Sequence, residues 1–217
     1  PSLTGRAPAA GEAAAQPSEL ARILATIMAG MLIFFVFFGG ANTAESILRE
    51  DEEGTLARLF TTPTPRATIL AGKFLAVLFT LGVQASVLIG LSALVFQINW
   101  GQLTSLALVV GALTIAAAGF GVCLVAFIKN LRQSGPIIGG VITVTGMLGG
   151  LMSLGFKMPA AFEVVNLTMP QGWAMRGLRL VLDGAGPLEV LPSVLVLLAV
   201  GVALFAIGSQ VFRRRFA

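Results

Sequence analysis

The sequence predicts an all-α fold, a polytopic membrane helix bundle, and three observations predict it. Of 217 residues, 56% are hydrophobic and 11% charged, and the mean hydropathy is +0.93. Four windows, 23–44, 74–128, 133–156 and 190–212, contain no Asp, Glu, Lys or Arg and together take up 124 residues. The charges that exist are gathered at the ends of those windows. A soluble domain carries roughly a quarter charged residues, whereas about 20 apolar residues cross a hydrocarbon core of about 30 Å as a helix. A soluble enzyme is excluded.

Residues 1–19, rich in Ala, Pro, Gly and Ser, read as an extracytoplasmic linker, and 20–217 as one transmembrane domain. The first span is expected over about 20–45. A polar segment follows, 45–64, ending in Thr62-Pro63-Thr64-Pro65, which no helix runs through unbroken. Thr64 before Pro65 suits the start of the second span, 65–96. The longest charge-free window must be divided, and Gln97-Ile98-Asn99-Trp100-Gly101-Gln102 is its polar, turn-forming cluster. The third span then covers 103–128 and the fourth 135–154. Residues 157–187 mix Pro159, Pro170, Trp173, Arg176, Arg179 and Asp183 with apolar residues, a pattern expected of short re-entrant or amphipathic helices at the outer face. The fifth span, 188–212, closes on Arg213-Arg214-Arg215.

Lys and Arg near the helix ends set the orientation. Nine (Arg49, Arg58, Arg66, Lys73, Lys129, Arg132 and the three terminal arginines) fall on one side, and five (Arg6, Arg22, Lys157, Arg176, Arg179) on the other. The richer side is expected in the cytoplasm, with the C-terminus, in a cell (plasma or inner) membrane. The net charge of +4 therefore reads as membrane anchoring, not nucleic-acid binding. Trp100 and Trp173 then lie on the outer side, and an outer N-terminus implies a further span upstream.

Chemistry has little to work with. The chain has no His and one Cys, Cys123, so no Cys/His metal site and no internal disulfide can form. The charge-free windows hold no carboxylate, His or Tyr, which excludes an intramembrane acid–base pair and argues against ion coupling. Gly72-Lys73 is followed by Phe74 without the upstream glycine of a P-loop. Energy for any transport must come from elsewhere.

The polar segment is the informative one. Glu45-Ser46-Ile47-Leu48-Arg49-Glu50-Asp51-Glu52-Glu53-Gly54-Thr55-Leu56-Ala57-Arg58-Leu59, then Thr61-Thr62-Pro63 and Gly72-Lys73, resembles the signature of the ABC-2 family of ATP-driven export permeases. Asn166-Leu167-Thr168-Met169-Pro170, with Trp173, Arg176, Gly177, Leu178 and Arg179, is similar to that family's outer-face stretch before its last span, with Pro170 displaced from the usual Asn-Pro pairing. The resemblance covers about 20–215, spans two to six of a six-span unit. It implies a permease subunit that moves an amphipathic or apolar substrate (a drug, an antibiotic or a lipid-linked molecule) out of the cytoplasm. It also implies two ABC ATP-binding subunits, which hold the ATP and Mg, and a second ABC-2 membrane subunit, identical or not. On this reading the chain is not an enzyme by itself and binds no cofactor. A non-transporting subunit that transmits ATPase motion for signalling or assembly is the alternative.

The residues support coupling on their own terms. Leu56, Leu59 and Phe60 fall at i, i+3, i+4 and form one apolar face on a short helix. Glu45, Arg49, Glu50, Glu52, Glu53, Gly54, Thr55 and Arg58 surround it. Such a helix docks into a groove on a cytoplasmic partner; resting on headgroups is disfavoured because an anionic inner leaflet repels the acidic run 50–53. Gly135, Gly139, Gly146 and Gly150 form small-xxx-small pairs, suited either to packing within the bundle or to a moving, dimer-lining helix. Phe34, Phe35 and Phe38 suit either an apolar pathway or a face toward lipid or core.

Overall fold

In the computed structural model the described residues are 19–55, 66–151 and 160–215, and all their regular structure is helical. Seven helices follow in order: α1 Glu19–Glu52, α2 Arg66–Phe96, α3 Leu103–Ala126, α4 Leu131–Leu148, α5 Ala160–Asn166, α6 Pro170–Leu182 and α7 Pro187–Arg215. Among them α1, α2, α3 and α7 each contain a stretch long and apolar enough to cross a membrane. Five spans were expected. The fourth of these, α4, has 18 residues and starts Leu131-Arg132-Gln133 with Pro136 inside, so it is shorter and more polar than the others.

Three boundaries differ from the sequence expectation by four residues or more. The first helix does not end near Glu45 but runs to Glu52. Glu45, Arg49 and Glu53 are spaced four apart, which suits helical pairs. The backbone N–H of Glu53 still donates to the Arg49 carbonyl at 3.0 Å. Gly54, at φ +70°, then ends the helix in the left-handed conformation that a glycine takes without strain. The fourth helix starts at Leu131, not Gly135, because Asn130 caps it: its side chain accepts from the Gln133 N–H at 3.1 Å. It stops at Leu148, six residues short of the expected end. The Gly149-Gly150 turn intervenes, with Gly150 at φ +73°.

Helix α3 is the centre of the bundle. Its buried face is made of Ala112, Ala116, Ala117, Ala118, Gly119 and Gly121, with Leu113 and Val122 alongside. Lipid is as apolar as leucine, so close van der Waals approach of small residues, rather than the hydrophobic effect, is what joins such helices. The geometry is tight. A Cβ placed on Gly121 would lie 2.5 Å from the Gly40 carbonyl oxygen of α1, and one on Gly119 would lie 2.1 Å from the Gly201 oxygen of α7. Helix α7 lies along α3 for most of its length, α1 packs on the other side, and α2 is peripheral. Leu75, Phe79, Val83, Val87 and Leu91, at intervals of four, turn outward from α2.

Few polar ties cross the apolar interior. Gln84 of α2 donates to the Phe35 carbonyl at 3.0 Å, and Ser105 of α3 donates to the Ala185 carbonyl at 2.9 Å. Trp100, buried in the α2–α3 connection, donates through Nε1 to Ser92 Oγ at 3.0 Å.

Candidate functional site

Bonds between helices gather the described helix ends into two groups. One group holds Glu45, Arg49, Glu50 and Glu52 at the end of α1, Lys73 near the start of α2 and Asn130-Leu131 at the start of α4. The opposite group holds Arg22, Trp100, the α5–α6 segment and Asp183.

At the carboxylate-rich end, three acidic side chains of α1 reach other helices. Glu50 forms an ion pair with Lys73, both partly buried. Glu52 Oε1 accepts the Leu131 backbone N–H at 2.7 Å. Glu45 Oε1 accepts the Ser134 hydroxyl at 2.7 Å, and the Ser134 Oγ also lies 2.7 Å from the Leu131 carbonyl. Glu45 and Glu52 are seven residues apart, two turns of one helix face. A carboxylate on a first-turn N–H also meets the positive end of the α4 dipole. Thr55 donates to the Glu50 carbonyl at 3.1 Å, and Glu53, Gly54 and Thr55 are exposed. Leu56, Arg58, Leu59 and Phe60, the expected apolar docking face and its flanking arginine, lie outside the described residues.

At the tryptophan-rich end, α6 begins at Pro170, a residue pre-set for the first helical position. Gln171 is fully buried and donates from Nε2 to Thr145 Oγ1 of α4 at 2.8 Å. With its amide turned so that nitrogen and oxygen both find partners, the Asn166 side chain donates to the carbonyls of Leu148 at 2.6 Å and Phe162 at 3.1 Å. Trp173 donates to the Leu167 carbonyl at 2.8 Å, and the Arg176 guanidinium stands 5.4 Å from the centroid of its ring. Arg22 and Asp183 pair at 3.2 Å, well exposed.

The other expected residues are spread along the bundle. Phe34 stacks on Phe38 with centroids 6.1 Å apart and meets Phe35 edge-on at 5.7 Å. Phe35 itself is exposed. A Cβ on Gly146 would stand 3.7 Å from the Phe34 ring, so those two lie together. Gly135 and Gly139 have open space above them within this chain, and Gly150 belongs to the turn beside Asn166. Among the described residues no group of His, Cys, Asp and Glu has the make-up of a metal site.

The family described as "ABC-2 family transporter protein" matches residues 10–209. The chain belongs to the ABC-2 transporter family. Two curated relatives of this ABC-2 protein carry permease names. It is 28% identical to the linearmycin resistance permease protein LnrN of Bacillus subtilis (strain 168) over 187 residues, 85% of this chain and 48% of that protein. It is 27% identical to the inner membrane transport permease YhhJ of Escherichia coli (strain K12) over 180 residues, 79% of this chain and 47% of that protein. The ABC-2 chain thus spans about half the length of the curated relatives it matches. No solved structure matches it. Family and helices together make it a multi-pass membrane protein of the permease type.

The sequence pointed to Glu45, Glu50 and Glu52 without their partners. Ser134 and the Leu131 N–H were missed. Asn130 ahead of Gln133 was the available signal, since a capping asparagine announces a helix start.

Proposed function

We propose that this chain is part of the membrane-spanning subunit of an ATP-driven exporter that moves an amphipathic or apolar substrate out of the cytoplasm. One observation carries the reading. The dense charge of the chain is concentrated at one group of helix ends, where α1 carboxylates join α2 and α4 and lead directly into residues 53–60. The charge-free spans offer no group that could couple transport to an ion gradient, so the work must enter at that end. An ABC ATP-binding subunit, holding the ATP and Mg, docks on 53–60 through Leu56, Leu59 and Phe60, flanked by Glu53, Gly54, Thr55 and Arg58. Two such subunits serve two membrane subunits. In this reading α4 also crosses the membrane, as the fourth of five spans, the carboxylate end is cytoplasmic with the C-terminus, and the α5–α6 segment sits at the outer face. The Phe34–Phe38 cluster against Gly146 then borders the pathway. A relative named as a resistance permease favours an antibiotic-like cargo.

The test is purification of the complex from its native membrane, followed by ATP-driven uptake into inverted vesicles. Wild-type protein brings a P-loop ATPase with it. Leu56→Arg places a charge in the apolar docking face and is expected to lose the ATPase and the transport while inserting normally. Full ATPase recovery and transport from Leu56→Arg would overturn the docking assignment. Nucleotide-driven motion without vectorial flux would instead identify a transmitting subunit.

A further inference from the structure

Helix α4 is attached to the rest of the chain in an unusual way. Its contact with the bundle is one stripe, Ser134, Ile138, Ile142 and Gly146, while Gln133, Gly135, Pro136, Ile137, Gly140, Val144 and Met147 face outward. The polar ties are at its two ends. At the first, Glu52 takes the Leu131 N–H and Glu45 takes the Ser134 hydroxyl. At the second, Gln171 holds the Thr145 hydroxyl and Asn166 holds the Leu148 carbonyl. Pro136 and three glycines, Gly135, Gly139 and Gly140, lie between the attachments. Eighteen helical residues put the two ends about 26 Å apart.

We infer that α4 is the connecting strut between the docking end and the outer α5–α6 segment. Ser134, Glu45 and Glu52 are the positioning residues at one joint, and Thr145, Gln171 and Asn166 those at the other. The inference rests on the proposed docking of an ATPase at 53–60. A push on the end of α1 moves the Glu45–Glu52 face. The carboxylates pass it to the first turn of α4, a continuous helix held by a single stripe, and Thr145 and Leu148 deliver it to α6 and α5. Gln171 Oε1 is buried and has no partner in this arrangement. An orphaned acceptor raises the free energy of this joint, which lowers the cost of remaking it in a second arrangement. Static packing would be served better by an apolar side chain at that position.

The experiment measures hydrogen exchange on the purified complex with its ATPase, without nucleotide and trapped with Mg-ATP and vanadate. Two segments are followed, 45–55 and 160–173. In the wild type both respond, the outer segment by about fivefold, the change one hydrogen bond supports. Ser134→Ala and Thr145→Val, each removing a hydroxyl with little change in volume, each cut the response of 160–173 to about half while 45–55 still responds. Ser86→Ala, which removes a hydroxyl that bonds its own helix at Gly82, leaves both responses intact. Ser134 and Thr145 are about 16 Å apart along the helix, far enough for independent local effects to add. In a strut they do not add: the double variant is no worse than either single one. A full outer response in both single variants, or additive losses, overturns the inference. A wild type in which 45–55 responds and 160–173 does not also overturns it, while the docking assignment stands. If 45–55 itself is silent in the wild type, the docking reading falls and takes the strut with it.

Discussion

Gly119→Ala is the sharpest test of the bundle. The added methyl would meet the Gly201 carbonyl oxygen at 2.1 Å and its carbonyl carbon at 2.9 Å. Both are backbone atoms, so no side chain can swing aside. Ordinary contact begins near 3.4 Å, and α3 and α7 must separate by about 1.3 Å along their longest interface. Overpacking of this kind costs about 1–3 kcal/mol. Against it stands the helix preference of Ala over Gly, about 1 kcal/mol. The net expectation is a loss of up to about 2 kcal/mol. Gly111→Ala on the same helix has nothing within 4 Å of its new methyl, and there the helix preference acts alone, so that variant is expected to gain up to about 1 kcal/mol. Unfolding by SDS titration in mixed micelles, followed by tryptophan fluorescence, measures the two variants against wild type. The opposite signs are the signature. Stabilisation in both, or equal small changes, would refute the close α3–α7 approach.

Three further outcomes are expected. Asn130→Ala removes the α4 cap and should cost about 1 kcal/mol, read by the same titration and by faster exchange of the Gln133 amide. Ser105→Ala breaks the buried bond to the Ala185 carbonyl and should cost about 1 kcal/mol; an unchanged midpoint would remove that tie from the account. Arg22→Ala deletes an exposed ion pair with Asp183, and such pairs are worth little, so its midpoint should stay within about 0.5 kcal/mol of wild type.

Much of the site was legible residue by residue and little of it pair by pair. Glu45, Glu50 and Glu52 stand out because charge is scarce, and Asn130 and Gly54 carry the local chemistry of a helix start and stop. Their partners do not stand out. Glu52 meets a backbone N–H 79 residues away and Glu45 a serine 89 residues away, and neither a main-chain amide nor one more serine is marked in the sequence. The glycines illustrate the same point. Those on and just after α4 caught the eye through their spacing, yet α3 meets α1 and α7 backbone to backbone at other glycines, among them Gly40 with Gly121 and Gly119 with Gly201. Spacing says that close approach is allowed on a face. It does not say that another helix comes there.

The sequence by itself determined that this chain is a set of membrane-crossing helices whose charges are confined to their ends. That follows from local physics, because each apolar stretch gains by entering lipid and each backbone group there must find its partner within its own helix. The tertiary structure decided that α3 is the centre, that α2 lies at the edge, and that α4 is tied at both ends to α1 and to α5–α6. In lipid every apolar face is equally acceptable, so helix partners are chosen by shape and by a few hydrogen bonds. Those exist only once the chain has folded back on itself.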